Sequence, residues 1–269
     1  MANEANKMFT NPVVYAVPGM EAVEVRRNLV YHTLDDGTEL TMDVYVPPGE
    51  ARPGVFFIHG GPIPPDKPWR LVKDWGLFTS YGRLMAACGM VGVTFNHRFP
   101  GFDRFEESAA SIAAAFAFVR GQAASFHLDP DRLAGWALSG GGPFLGPLLT
   151  EKAPWIRCLV SYYAVLDLRP LSEQIPGGLP GEIVERFSPV SCLPLEGYDG
   201  PPILIARAGL DWPWINTGTD GFITRALAAN AALDVLNHPR GQHGFDVLDD
   251  DARSREIIAR TVDFLKGHL

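Results

Sequence analysis

The chain has 269 residues, of which 46% are hydrophobic and 20% are charged, and its 23 basic and 31 acidic side chains leave a formal net charge of −8. This length and composition exclude disorder for most of the chain and allow one large α/β domain or two small ones, with a sizeable core. The acidic balance argues against nucleic acid as a partner, because phosphate binding needs a basic footprint.

The three cysteines, Cys88, Cys158 and Cys192, form no CxxC pair and no Cys/His cluster. They predict buried thiols, and we expect neither a metal nor another cofactor. The amino terminus lacks the basic start and apolar run of a secretory signal, and no stretch of about 18 apolar residues occurs. We therefore expect a cytoplasmic protein without stable membrane insertion, and a homo-oligomer stays open.

The chain begins with a polar, irregular arm over residues 1–22. Apolar and polar residues then alternate over 23–31 and 40–46, on either side of a turn at Asp35-Asp36-Gly37, which predicts an antiparallel hairpin. Apolar runs at 54–58 and 90–95 are typical of parallel strands that helices cover on both faces.

The remainder of the chain alternates strands with helices. Strands are predicted at 132–136, 156–162, 203–208 and 233–236, and helices at about 74–87, 105–124, 219–232 and 251–265. This order predicts one domain over residues 23–269, with a three-layer α/β fold and a mostly parallel sheet that starts with the antiparallel hairpin. Residues 170–202 are rich in Pro and Gly, with a short helix near 182–186, and their length suggests a cover over a site.

The most informative segment runs from Leu133 to Gly142 and places Ser139 directly after a predicted strand. Ala137 two residues before it and Gly141 two residues after it give a small-x-Ser-x-small turn, whose tight backbone needs small flanking residues. Such a turn projects the serine Oγ above the sheet at the start of a helix, where a nucleophile is well placed. The alternative is a glycine-rich turn that binds phosphate or packs closely.

A glycine pair follows another apolar strand, in the segment Ile58-His59-Gly60-Gly61-Pro62. Glycines here let backbone N–H groups face a developing oxyanion without obstruction by side chains. We predict Gly61 and Gly140 as the two donors, since Pro62 has no N–H. His59 is expected to support this loop and not to act on substrate.

A histidine between glycines lies near the carboxyl terminus, in Gly241-Gln242-His243-Gly244-Phe245, and we predict His243 as the general base. Two carboxylates fit the order serine, acid, histidine: Asp211 after strand 203–208, and Asp167 at the end of a strand predicted over 159–166. Both follow strands at their carboxyl ends, where open α/β sheets bind ligands. We favour Asp211 as the acid that orients the base, and Asp167 as a capping or loop-bracing residue.

Aromatic side chains near these loops are candidates for an apolar substrate pocket, with core packing as the alternative. The candidates are Trp212, Trp214, Phe102, Trp136 and Phe245. Asp246 and the acidic run 249–251 are interpreted as a solvated helix start, where acids complement the helix dipole.

Taken together, His-Gly-Gly-Pro at 59–62, the Ser139 turn, Asp211 after a strand and His243 before a terminal helix resemble the α/β-hydrolase superfamily. The opening hairpin and Phe95-Asn96-His97-Arg98-Phe99 look like its carboxylesterase and dienelactone-hydrolase-like branch, here with serine as the nucleophile. The chain departs from many members by Ala137 in place of Gly. The resemblance implies a serine carboxylesterase that acts on a small or medium ester through an acyl-enzyme, without a cofactor.

Other functions stay open at this point. His-Gly-Gly-Pro also resembles the proline-iminopeptidase pattern, and the branch is similar to prolyl-oligopeptidase-type domains, so a serine exopeptidase or amidase is the second hypothesis. A lyase or transferase would use the same three side chains. A catalytically silent ligand-binding protein on the same fold belongs to a different class, and an intact serine, acid and histidine argues against it.

Overall fold

The computed structural model describes residues 7–64 and 71–269. Eight strands form one sheet in the order β1-β2-β4-β3-β5-β6-β7-β8. The strands are β1 (Glu24–Thr33), β2 (Glu39–Val46), β3 (Arg52–Ile58), β4 (Val91–Phe95), β5 (Leu128–Leu138), β6 (Ile156–Tyr162), β7 (Ile203–Ala208) and β8 (Leu233–His238). β2 runs antiparallel to both β1 and β4, and the remaining pairs are parallel. The predicted fold class is confirmed.

Helices cover both faces of this sheet. They are α1 (Gly76–Ala87), α2 (Phe105–Gly121), α3 (Leu145–Glu151), α4 (Arg169–Ser172), α5 (Gly181–Phe187), α6 (Pro189–Cys192), α7 (Pro213–Ala228), α8 (Phe245–Leu248) and α9 (Ala252–His268). Successive strand residues point to opposite faces. Phe56 therefore packs in the core that α2 and α7 cover, while Phe57 packs in the core beneath α1 and α9. Among the described helices, none combines the length and apolar character needed to cross a membrane.

Two predicted boundaries are wrong. The helix predicted over 219–232 begins at Pro213, whose ring suits the first helical turn, and ends at Ala228 shortly before Asn230 turns left-handed with φ 59°. The strand predicted over 159–166 ends at Tyr162 because Tyr163 adopts φ 39° and leaves the sheet. Asp167 therefore lies in a loop, where its side chain accepts a hydrogen bond from the Arg169 Nε–H at 2.8 Å.

The described part of the N-terminal arm contacts α1 and the residues that follow His243. The Val13 N–H donates to Ser80 Oγ on α1 at 2.9 Å, and the Val14 N–H donates to the Asp246 carbonyl at 2.8 Å. Val13 is 5% exposed. The arm thus holds α1 and the segment after His243 together.

Candidate active site

Ser139 lies in a strained turn directly after β5, with φ 54°. The next three glycines pass so close to other backbone segments that a Cβ on Gly140 would lie 2.4 Å from the Gly61 carbonyl oxygen, and one on Gly142 would lie 2.2 Å from that of Val165. No larger residue fits these positions without moving the backbone. The turn therefore holds the Ser139 side chain at the carboxyl edge of the sheet.

Three predicted side chains meet at this edge, although they follow three different strands. The Ser139 hydroxyl lies 2.8 Å from His243 Nε2, and His243 Nδ1 lies 2.9 and 3.0 Å from the two carboxylate oxygens of Asp211. The Trp212 N–H also donates to Asp211 Oδ1 at 2.7 Å. With the Nδ1 proton directed at the carboxylate, Nε2 is left to accept the serine proton. Asp167, the other candidate acid, is not part of this arrangement.

Two aromatic rings fix the plane of the His243 imidazole. The Tyr163 ring meets it edge-on at a centroid distance of 4.8 Å, and the Trp212 ring lies 4.6 Å away at 46°. Tyr163 directly follows β6, so its ring reaches the imidazole from the end of that strand. The imidazole is therefore oriented by packing as well as by its bond to Asp211.

The predicted oxyanion donors Gly61 and Gly140 lie side by side. A Cβ built on Gly140 would be only 2.9 Å from the Gly61 nitrogen. The Gly60 carbonyl accepts a hydrogen bond from His59 Nδ1 at 2.6 Å. Because a trans peptide unit directs its C=O and N–H in opposite directions, this bond turns the Gly61 N–H away from His59. His59 supports the loop, as predicted.

His97, to which the sequence assigned no role, stacks on His59 at a centroid distance of 3.7 Å. Its Nε2–H donates to the His59 carbonyl at 3.1 Å. Burial lowers the pKa of His59 to about 4 and lowers that of His97 well below its ordinary value. Both rings are therefore neutral at physiological pH. No local signal marks His97, because its role depends on β4 lying beside β3 in the sheet.

A small apolar cavity of about 190 Å³ opens beside Ser139. Among the lining residues that the structure describes, none is charged. They are Gly61, Phe99, Phe102, Phe105, Ser139, Gly140, Pro143, Val165, Leu168, Leu171, Trp212, Trp214 and Ile215. From the segment 170–202, predicted as a cover, only Leu171 takes part. The pocket candidates Phe102, Trp212 and Trp214 lie in this wall.

The other two pocket candidates lie elsewhere, and for them the prediction is wrong. Trp136 is fully buried within β5, on the sheet face that packs against Phe57 and Tyr81. Phe245 is also fully buried, and its ring stacks on Tyr162 at 5.5 Å. Both rings belong to the core beneath α1 and α9, on the opposite side from the cavity.

The interpretation of Asp246 as a solvated residue at a helix start is also wrong. Its side chain is completely buried and accepts hydrogen bonds from the Tyr81 hydroxyl at 2.6 Å and the Tyr163 hydroxyl at 2.8 Å. Asp251 does begin a helix as expected, accepting the Ser254 N–H at 2.8 Å. Within residues 7–64 and 71–269, no group of three or more His, Cys, Asp or Glu side chains is arranged to hold a metal ion.

No protein-family model and no curated protein matches the sequence. Solved structures do match. Esterase 2 of the planctomycete Thermogutta terrifontis shares 19% identity at a TM-score of 0.71, over 92% of this chain and 93% of that chain. A truncated carbohydrate esterase from gut microbiota shares 17% identity at a TM-score of 0.71, over 96% and 99%. The likeness covers nearly the whole chain and agrees with the strand order, so the chain has the α/β-hydrolase fold.

Proposed function

We propose that the protein is a serine carboxylesterase that hydrolyses small, uncharged carboxylic esters through an acyl-enzyme. The observation that carries the proposal is the continuous hydrogen-bonded arrangement from Ser139 through His243 to Asp211. A serine with a base in hydrogen-bond reach, and an acid that orients the base, is the arrangement that activates a hydroxyl for acyl transfer.

In the proposed reaction, Ser139 Oγ attacks the ester carbonyl while His243 Nε2 takes the hydroxyl proton. The carbonyl electrons move to oxygen, and the N–H groups of Gly61 and Gly140 donate to the oxyanion. His243 then returns the proton to the leaving alcohol, which departs as the acyl-enzyme forms. Water, deprotonated by the same base, attacks the acyl-enzyme and releases the acid, and Ser139 regains its proton.

The cavity supports a small, uncharged substrate. Its volume of about 190 Å³ lies below the roughly 300–1,000 Å³ that is usual for sites of drug-sized ligands. Phe102, Leu168 and Trp214 give it an apolar wall, which favours a short alkyl group over a charged one. Structures of the Thermogutta esterase with propionate and with butyrate bound come from a protein of the same fold. None of the described residues in the wall is a carboxylate that could hold a substrate amine, and this favours an ester over a peptide amino terminus.

Fluorophosphonate labelling, combined with hydrolysis of p-nitrophenyl acetate, butyrate and hexanoate, tests the proposal on the wild type and Ser139→Ala. We expect stoichiometric labelling and turnover in the wild type, with the loss of both in the variant. Ser161→Ala is a matched control, because that serine is buried in β6 and its hydroxyl has no hydrogen-bond partner among the described residues. Labelling without turnover of any ester would redirect the assignment to amide or transfer chemistry, and absence of labelling in folded protein would contradict the nucleophile.

A further inference from the structure

A buried carboxylate is connected to the His243 ring through the side chain of Tyr163. Asp246 is three residues further along the chain, and the reversal between them passes through Gly244, which has φ 79°. The Asp246 side chain is fully buried, and both of its carboxylate oxygens accept hydrogen bonds from tyrosine hydroxyls. A carboxylate is costly to bury, so one held beside a proposed catalytic base calls for a functional explanation.

The two tyrosines have different surroundings. Tyr163 donates to Asp246 Oδ1 at 2.8 Å, and its ring edge also packs on the His243 imidazole at 4.8 Å. Tyr81 donates to Oδ2 at 2.6 Å from α1, and its ring packs on Phe57 and Trp136 in the core. Of these two tyrosines, only Tyr163 contacts both the Asp246 carboxylate and the His243 ring.

We propose that Tyr163 and Asp246 form a second acidic arm behind His243, which positions the imidazole and favours its protonated form during turnover. This inference rests on the proposed function, because it assigns the arm to the same base. Neither residue touches substrate, so both are positioning residues. Asp211 holds the Nδ1–H of the ring, while the second arm holds the ring through its edge and contributes a negative charge.

Within the described residues, charged and titratable groups reach His243 from four elements, and Asp246 is also faced by Tyr81 on α1 and Tyr162 at the end of β6. Asp211 comes from the loop after β7, Ser139 from the end of β5, Tyr163 from the end of β6, and Asp246 from α8. Burial raises the pKa of Asp246 to about 6, while its bonds to the tyrosines and the nearby His243 charge act in the opposite direction. Asp246 is thus negatively charged at pH 8, where esterases are commonly assayed, and its charge stabilises an imidazolium.

The kinetic test compares Asp246→Asn, Tyr163→Phe and Tyr81→Phe with the wild type, using p-nitrophenyl butyrate between pH 5 and pH 9. We expect Asp246→Asn to lower kcat about tenfold with little change in KM, and to move the acidic limb of kcat/KM to lower pH by about half a pH unit. Tyr163→Phe is expected to lower kcat severalfold. Tyr81→Phe removes an equivalent bond to the same carboxylate without touching His243, and should lower kcat less.

A spectroscopic readout separates this inference from the proposed function. The His243 ring signal, assigned with a His243→Gln variant, is followed by NMR against pH in wild type and Asp246→Asn. We expect its titration midpoint to be lower in Asp246→Asn, whether or not the protein hydrolyses esters. An unmoved midpoint, or equal kcat losses in Tyr163→Phe and Tyr81→Phe, would overturn the second arm and leave Asp246 a structural residue. If Asp246→Asn does not fold, the tyrosine pair alone decides.

Discussion

Asp246→Asn should change how the stability of the protein depends on pH. Burial raises the carboxyl pKa from 3.8 to about 6 in the folded state, so the folded protein binds this proton more tightly than the unfolded chain does. The resulting contribution to stability is fully present below pH 3.8 and is lost as the pH rises through about 6. A shift of about two units corresponds to about 3 kcal/mol.

Asparagine has the same shape but no proton to bind or lose in this range, so the variant lacks this contribution. The difference in unfolding free energy, wild type minus Asp246→Asn, should rise by about 2 kcal/mol between pH 8 and pH 4.5, with the remainder at lower pH. Urea unfolding at half-unit pH steps measures it. Carboxylates such as Asp251, whose pKa is lowered by the Ser254 N–H, titrate in both proteins and cancel in the difference.

Asp250→Asn provides the control for the loss of one negative charge, because its side chain is 77% exposed. If the difference in unfolding free energy between wild type and Asp246→Asn stays constant from pH 8 to pH 4.5, folding does not raise the pKa of Asp246. In that case burial would not be the dominant influence on the pKa of Asp246.

Three further substitutions test other parts of the structure. His59→Ala frees the Gly60 carbonyl, and we expect kcat for p-nitrophenyl butyrate to fall about 10- to 100-fold with KM little changed; a change confined to KM would contradict the role in the oxyanion loop. Lys73→Met removes the buried partner of Asp43 at 3.0 Å and leaves Arg27 at 3.2 Å, so it should lower the unfolding free energy by about 1–3 kcal/mol in urea titrations; an unchanged value would contradict a stabilising role of Lys73. Leu171→Ala enlarges the cavity, so the ratio of hexanoate to acetate hydrolysis should rise. An unchanged ratio would indicate that the acyl group binds outside this cavity.

The sequence was sufficient for the parts of the site that depend on local chemistry. The small residues around Ser139 are required by a tight turn, and His243 lies between glycines just after a strand, so both are visible in a few consecutive letters. The order serine, acid, histidine along the chain limited the acid to Asp211 or Asp167, and the structure brings Asp211 to His243. Continuous apolar runs also marked β3 and β4, because strands covered on both faces carry little else.

The remaining features depend on contacts between distant parts of the chain. Asp246 precedes an acidic run and looks solvated, yet its partner Tyr81 lies 165 residues away in sequence. Trp136 lies in a strand that is apolar on both faces, so its sequence gives no sign of which face is next to the cavity. His97 acquires its contact with His59 only because β4 pairs with β3.

The order in which the site is assembled along the chain has a consequence for synthesis. Ser139 precedes its partner His243 by 104 residues, and the arm residue Val14 bonds to a carbonyl beyond both. At roughly 5–20 residues per second, a growing chain carries the serine turn for about 5–20 s before the histidine is made. During that interval the proposed nucleophile has no base, so under the proposed function the nascent protein should not turn over esters. Appearance of activity in a timed translation would therefore report the docking of the last strand, and not the formation of the central sheet.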